Sequence, residues 1–303
     1  MGPRATRGCK MFPPDFTSLK GSALPVDIML AILLGAALHA TWNAFVRSAS
    51  NKFNDTILVL LGMGFWAGCI VPFVPLPSPA SLPYLIASIV IHVAYFALVV
   101  LTYRDAELSF AYPIMRGSAP AFSAILAAIL LRESRAPLGW LGIFLISCGV
   151  VLLSLDSWRV GSLRRASLFL VLLNAAVIVI YTLVDGVGVR LSGNAISYIG
   201  WCFFSPIVLI FLALLVRWRA PVATYARHHI PRGLIGGACI LGSYGIALWA
   251  MTRAPIALVA ALRETSVLFA MLIATVFLGE RISGWRFLSI LTITAGAVAI
   301  KIS

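Results

Sequence analysis

Apolar residues gather in ten long stretches of the chain, with short polar connections between them. A helix that crosses a bilayer needs about 20 mostly apolar residues, and every stretch has this length or comes close to it. The pattern therefore predicts an all-α integral membrane protein. Its ten transmembrane helices are expected at approximately 28–46, 56–76, 82–103, 108–131, 138–155, 165–185, 195–216, 233–251, 255–278 and 284–300.

The connections between these helices are too short to hold a soluble domain. The longest connection, 217–232, is basic and contains Pro221 and Pro231. Residues 1–27 are polar, with prolines and glycines scattered through them, and we expect a disordered tail there. A cleaved signal peptide is a competing interpretation of the first apolar stretch. It is disfavoured because this stretch has a partner in the second half of the chain.

The two halves of the chain repeat each other. A shift of 147 positions places Arg116 on Arg263, and a shift of 142 positions aligns the first predicted helix with the sixth. We therefore predict two five-helix repeats, 28–155 and 156–303. Because five is an odd number, the repeats must have opposite orientations in the membrane. Inverted repeats of this kind are typical of transporters, whose substrate site lies between the halves.

The composition agrees with a chain whose main partner is the lipid bilayer. Of 303 residues, 61% are hydrophobic and only 11% are charged, which is too little charge for a soluble domain of this length. The net charge of +13 resides mostly in short loops, so we expect no nucleic-acid partner. The five cysteines show no metal-ligand spacing, and His228 and His229 lie in a connection without a suitably spaced partner. We therefore predict no metal and no cofactor.

Paired motifs at the end of each half indicate a known family. The fourth helix reads "AYPIMRGSAPAFSAILAAILLRE", its counterpart reads "ALRETSVLFAMLIATVFLGERIS", and a glycine-containing helix follows each of them. With these motifs the chain, over about 28–302, resembles the drug/metabolite transporter superfamily, in its ten-helix EamA-type branch. The resemblance implies secondary transport, usually efflux of metabolites such as amino acids or of toxic compounds. It also implies that Glu133 and Glu280 are structural residues at helix ends, and it fits a bacterial inner membrane.

Arg116 and Arg263 are the most informative charged residues. The apolar runs that follow them are too short to span a membrane, so each helix must begin before its arginine. Such a charge must face a partner or a water-filled cavity. We predict that both arginines bind an anionic group of the substrate, since a guanidinium matches a carboxylate or a phosphate. The alternative is a fixed internal ion pair with Glu264 or Asp185.

Pro113 and Pro120 lie on either side of Arg116 in the fourth predicted helix. Proline removes a backbone donor and disrupts the hydrogen bond to the carbonyl four residues earlier. Unpaired backbone inside a membrane is tolerated where it lines a cavity. We therefore predict that these prolines break the helix at the substrate site, with an ordinary kink as the alternative.

Asp185 and Glu264 are the acidic residues expected inside the membrane. A carboxyl group in low dielectric binds protons more readily than one in water, so either residue can couple transport to protons. Asp185 aligns with Asn43 of the first half, and we expect it to carry the proton while Asn43 supplies a neutral hydrogen bond. Glu264 is the second candidate and is expected to balance Arg263. Alternatively, Asp185 lies at a solvated end of the sixth helix.

Three aromatic residues share predicted helices with these polar residues and are candidates for the cavity lining: Trp42, Tyr181 and Tyr244. Ordinary packing is their alternative role. We predict a gradient-coupled secondary transporter, monomeric or homodimeric, that exports an amino-acid-like anionic or zwitterionic metabolite. The alternatives are a membrane scaffold or sensor, and an intramembrane enzyme, which the absence of a paired catalytic motif disfavours. The substrate, the direction of transport and the orientation of the termini stay open.

Overall fold

The computed structural model describes residues 24–105, 108–131, 133, 136–157, 165–217, 219–278 and 283–303. Within these ranges the regular structure is entirely helical. Five helical spans are long and apolar enough to cross a membrane, and shorter apolar helices lie between them. The α-helices are α1 (Val26–Arg47), α2 (Lys52–Ile70), α3 (Leu82–Asp105), α4 (Leu108–Leu130), α5 (Pro137–Ser157), α6 (Arg165–Leu191), α7 (Ala195–Arg217), α8 (Arg219–Met251), α9 (Ile256–Arg263), α10 (Ser266–Leu278) and α11 (Gly284–Lys301).

These helices coincide with the ten predicted spans, with two corrections. The ninth span, predicted as one helix over 255–278, is divided into α9 and α10. The basic connection predicted over 217–232 is wrong, because α8 begins at Arg219 and includes most of it. Pro221 lies in the first turn of α8, where a missing N–H costs nothing, and Pro231 lies inside the helix.

Helix packing follows an approximate twofold relation between the halves. Helix α1 packs against α8 in the same way that its counterpart α6 packs against α3. Likewise α1 contacts α9 and α10, and α6 contacts α4. Two pairs join equivalent helices across the relation, α2 with α7 and α5 with α11. The predicted architecture of two inverted five-helix repeats is thereby confirmed. Residues 1–23 of the predicted tail lie outside the described ranges, and α1 begins at Val26, two residues before the predicted start of the first helix. The boundaries of the two repeats, 28–155 and 156–303, stay a prediction.

Helices α2 and α8 approach each other through glycine. A Cβ atom at Gly237 would collide with the backbone of Gly62, and a Cβ atom at Gly62 would collide with the carbonyl of Gly233. Small residues allow such contact between backbones, and van der Waals packing is a principal force between helices in lipid. This contact joins the two halves next to the helices that hold the central polar residues.

Candidate functional site

The break between α9 and α10 lies among buried residues at the centre of the bundle. Helix α9 ends at Arg263, and Glu264 and Thr265 form a tight turn before α10 begins. The N–H groups of Glu264 and Thr265 donate to carbonyls three residues earlier, at 3.0 and 3.1 Å, which is the pattern of a 3₁₀ turn. The Thr265 hydroxyl also donates to the carbonyl oxygen of Leu262, at 2.7 Å. The Leu262 carbonyl therefore accepts two hydrogen bonds from Thr265 at the interruption, one from its N–H and one from its hydroxyl.

A small cavity adjoins this break, between α4, α6 and α9. Its volume of about 20 Å³ is enough for roughly one water molecule, so the site is closed to a metabolite in this conformation. Its lining combines small, aromatic and charged side chains: Ala119, Pro120, Ser123, Ile178, Tyr181, Thr182, Ala260, Arg263 and Glu264. The cavity thus lies between α4 and α9, which are equivalent helices of the two repeats.

Arg263 and Asp185 are connected through Tyr244. The guanidinium carbon of Arg263 lies 4.7 Å from the centre of the Tyr244 ring, in a cation–π arrangement. The hydroxyl of the same tyrosine donates to Asp185 Oδ2 at 2.7 Å. One aromatic side chain therefore contacts both the cation at the cavity and the buried carboxylate behind it.

Asp185 is fully buried and has several polar neighbours. Tyr198 donates to Asp185 Oδ1 at 3.1 Å, which complements the bond from Tyr244 to Oδ2. His92 Nε2 lies 3.9 Å from Oδ2. Helix α6 continues to Leu191, so the alternative that Asp185 lies at a solvated helix end is wrong. A buried carboxylate needs such donors, because without them its desolvation is very costly.

His92 of α3 is, with Tyr198 of α7, a member of this group that sequence reasoning missed. Its Nδ1 atom lies 3.0 Å from the carbonyl oxygen of Ser88 and 3.1 Å from the Ser88 hydroxyl. Its ring packs against that of Tyr181, with 4.8 Å between centroids. A single histidine inside an apolar span was the available signal, because ionisable residues at such positions are usually functional.

A metal is chemically conceivable beside Asp185. Ligand atoms of His92, Asp185 and Cys202 all lie within 4.8 Å of one another. However, both oxygens of Asp185 already accept hydrogen bonds from tyrosines, and Cys202 Sγ lies 3.2 Å from the Ser88 hydroxyl. We therefore assign the three residues to a buried hydrogen-bond network.

Of the other predicted site residues, Trp42 and Asn43 lie away from the cavity and Pro120 lines it. Trp42 Nε1 donates to His39 Nδ1 at 3.3 Å, and the Asn43 side chain donates to the His39 carbonyl at 2.8 Å, so both bond within α1 and neither lines the cavity. Helix α4 runs without interruption past Pro113 and Pro120, and the predicted break is not found there. Pro120 does line the cavity. The side chains of Arg116 and Pro113 lie outside the described part of the structure.

A buried ion pair lies next to the end of α6, on the same side of the cavity as Asp185. Glu133 Oε1 lies 3.0 Å from Arg190 Nη2, and both side chains are at most 5% exposed. Glu133 also accepts the N–H of Ile256, the first residue of α9, at 3.2 Å. Arg190 donates to the carbonyls of Met251 at 2.7 Å and Ala254 at 3.0 Å. Glu133, which follows the end of α4, thus connects α4 with α6 and α9 directly, and with α8 through Arg190.

Two inverted repeats of membrane-spanning helices, with a broken helix and buried charged residues between them, define a membrane transporter. The model of the EamA-like transporter family matches residues 27–155 and 165–302, and the chain belongs to this family. A solved structure, described as the crystal structure of a protein, is similar in fold with a TM-score of 0.66 and 16% identity. The match covers 90% of this chain and 94% of the other. No curated protein matches the chain.

Proposed function

We propose that this protein is a secondary active transporter that exports a small amino-acid-like metabolite by coupling to a proton gradient. The carrying observation is the broken helix, whose Arg263 and Glu264 both line the central cavity. Discontinuous helices at the interface of inverted repeats are where transporters of this type bind substrates and coupling ions. The apolar helical spans and the match to the EamA-like transporter family support the class of protein. The charged residues of the cavity support the substrate type.

Arg263 is the proposed ligand for the anionic group of the substrate. A guanidinium offers a planar set of donors that matches a carboxylate. Arg263 is the last residue of α9, where the negative end of the helix dipole stabilises its positive charge. Glu264, only 6% exposed, places a carboxylate at the same cavity. A cation and an anion side by side fit a zwitterion better than a purely anionic solute.

Asp185 is the proposed proton carrier. It faces His92 from α3, Tyr198 and Cys202 from α7, and Tyr244 from α8. A proton that binds at Oδ2 of Asp185 turns this oxygen from a charged acceptor into an O–H donor, so its hydrogen bond with Tyr244 is rearranged. Because the Tyr244 ring lies against Arg263, this rearrangement reaches the substrate site and links proton binding to substrate binding.

Transport by purified protein in proteoliposomes tests the substrate assignment. With a panel of radiolabelled amino acids and an imposed pH gradient, wild type should transport at least one zwitterion. Arg263→Lys should lower kcat/KM by about 10-fold or more, because a point charge replaces a bidentate donor. Arg253→Lys is the matched control, since Arg253 is an exposed arginine that also lies over an aromatic ring, Trp249. Equal activity of Arg263→Lys and wild type would refute the assignment.

The proton assignment is tested with Asp185→Asn. This variant should lose accumulation driven by a pH gradient while retaining exchange of labelled for unlabelled substrate. Asp27→Asn is the control, because Asp27 is exposed at the beginning of α1. Unchanged pH-driven accumulation in Asp185→Asn would mean that the proton binds elsewhere. Absence of transport of any solute by wild type would favour the scaffold or sensor alternative.

A further inference from the structure

Asn174 of α6 is a buried polar residue that the proposed mechanism does not use. Its side chain is fully buried, and in the described part of the structure neither the amide nitrogen nor the amide oxygen has a hydrogen-bond partner. Burying such a group without partners destabilises the fold, and native proteins rarely contain one. We therefore expect the amide to form hydrogen bonds with a partner that is absent from the closed conformation.

The register of α6 places Asn174 on the side of the helix that faces the cavity. Ile178, Tyr181 and Asp185 follow it by 4, 7 and 11 residues, a spacing that keeps all four on one helical face. Ile178 and Tyr181 line the cavity. At 1.5 Å per residue, Asn174 lies about 10 Å from Tyr181 along the helix axis.

Asn174 and Asp185 lie on opposite sides of the cavity along α6. Asp185 and the Glu133–Arg190 ion pair lie towards the end of α6, where the buried ion pair closes the bundle. Asn174 lies on the other side of the cavity, towards the beginning of α6. A solute that enters or leaves through the face at which α6 begins would pass the Asn174 amide next to the cavity.

We infer that Asn174 is a binding position for the transported solute, where its amide bonds a polar group of the solute between the cavity and the face at which α6 begins. This inference rests on the proposed transport function and narrows its substrate class. The carboxamide offers two N–H donors and one carbonyl acceptor, so it serves an amide, a hydroxyl or a charged end of the solute. The bonds form when the pathway opens towards the beginning of α6.

Access from water tests the position without knowledge of the substrate. Asn174→Cys is introduced into a variant without the native cysteines and treated with a charged, membrane-impermeant thiosulfonate reagent. Leu172→Cys is the matched control, because Leu172 lies two residues away and is 52% exposed on the lipid side of the bundle. Reaction of Asn174→Cys from one membrane face, with Leu172→Cys inert, supports the inference. If both variants are inert, the inference is wrong.

Transport and stability together test the binding role. Asn174→Leu should raise the midpoint of thermal unfolding, because an unpaired polar group is removed, and should raise KM by about 10-fold for L-glutamine but not for L-leucine. Ser147→Ala removes a different buried, unpaired polar group, a hydroxyl, and should leave transport unchanged. Equal KM values of wild type and Asn174→Leu for every transported solute would overturn the inference. If wild type transports nothing, the proposed function fails, while the labelling result still decides whether Asn174 borders a pathway.

Discussion

Removal of the Glu133–Arg190 ion pair should destabilise the protein and open one face of it. Both side chains are almost completely buried, and truncating one member leaves the other as an uncompensated buried charge. Such changes cost about 3–5 kcal/mol in proteins. We expect about 3 kcal/mol for Glu133→Ala, because Arg190 keeps its bonds to two backbone carbonyls.

A double-mutant cycle isolates the contribution of the pair. Glu133→Ala, Arg190→Ala and the double variant are compared by equilibrium unfolding in mixed micelles, followed by tryptophan fluorescence. The double variant should be less destabilised than the sum of the single variants by about 1.5–3 kcal/mol, since no unpaired charge remains. A coupling below about 1 kcal/mol, the range of exposed ion pairs, would refute the reasoning.

The same pair should control access to the cavity. It joins the end of α6 to the α8–α9 connection and the first residue of α9, so its loss favours opening at that face. Each 1.4 kcal/mol lost from the closed state raises the open population about tenfold. Thr182→Cys, at a cavity-lining position, should therefore react faster with an impermeant thiol reagent from this face when Glu133 is replaced by Gln. An unchanged rate would mean that the pair stabilises both conformations equally.

Two further changes test other parts of the structure. Tyr244→Phe keeps the ring beside Arg263 but removes the hydroxyl bond to Asp185. Substrate exchange should therefore continue, while accumulation driven by a pH gradient falls. A parallel loss of exchange and accumulation would show that the hydroxyl serves binding alone. Gly237→Ala should destabilise the fold by about 1–3 kcal/mol through the collision between α8 and α2, whereas Gly284→Ala, in open space, should be neutral; equal stability of the two variants would contradict the close packing.

Hydropathy predicts the helices of this protein well because lipid imposes one strong requirement on a spanning segment. The interruption of the ninth span was not predictable in the same way. No proline or glycine marks it, and a threonine that bonds to the preceding turn, as Thr265 does, also occurs inside a continuous helix, as at Thr182. Conversely, Pro113 and Pro120 suggested a break in α4, which continues past both, because a proline removes only one donor and neighbouring groups can satisfy the freed carbonyl.

The polar centre illustrates a second limit of sequence reasoning. Asp185 stood out because the repeat aligns it with Asn43, and a polar pair at equivalent positions is rare in an apolar chain. His92 offered no such comparison, and its approach to Asp185 depends on how α3 packs against α6. Glu133 was expected to be structural, but its bonds to Arg190 and Ile256 depend on helix ends that are distant in sequence.

In the described part of the chain, the residues of the proposed site are distributed unequally between the two repeats. The second repeat supplies Asp185, Tyr244 and Arg263, and it contains the broken helix. The first repeat contributes His92 and the Pro120 wall of the cavity, while its Asn43 bonds within its own helix. An inverted repeat creates two equivalent positions for every residue. Coupling, however, needs the proton-binding carboxylate and the arginine that binds the substrate to lie within reach of one another. Because Tyr244 touches both groups, concentrating them in one repeat places the proposed proton site and substrate site next to each other, so that one side chain can transmit the state of the first to the second.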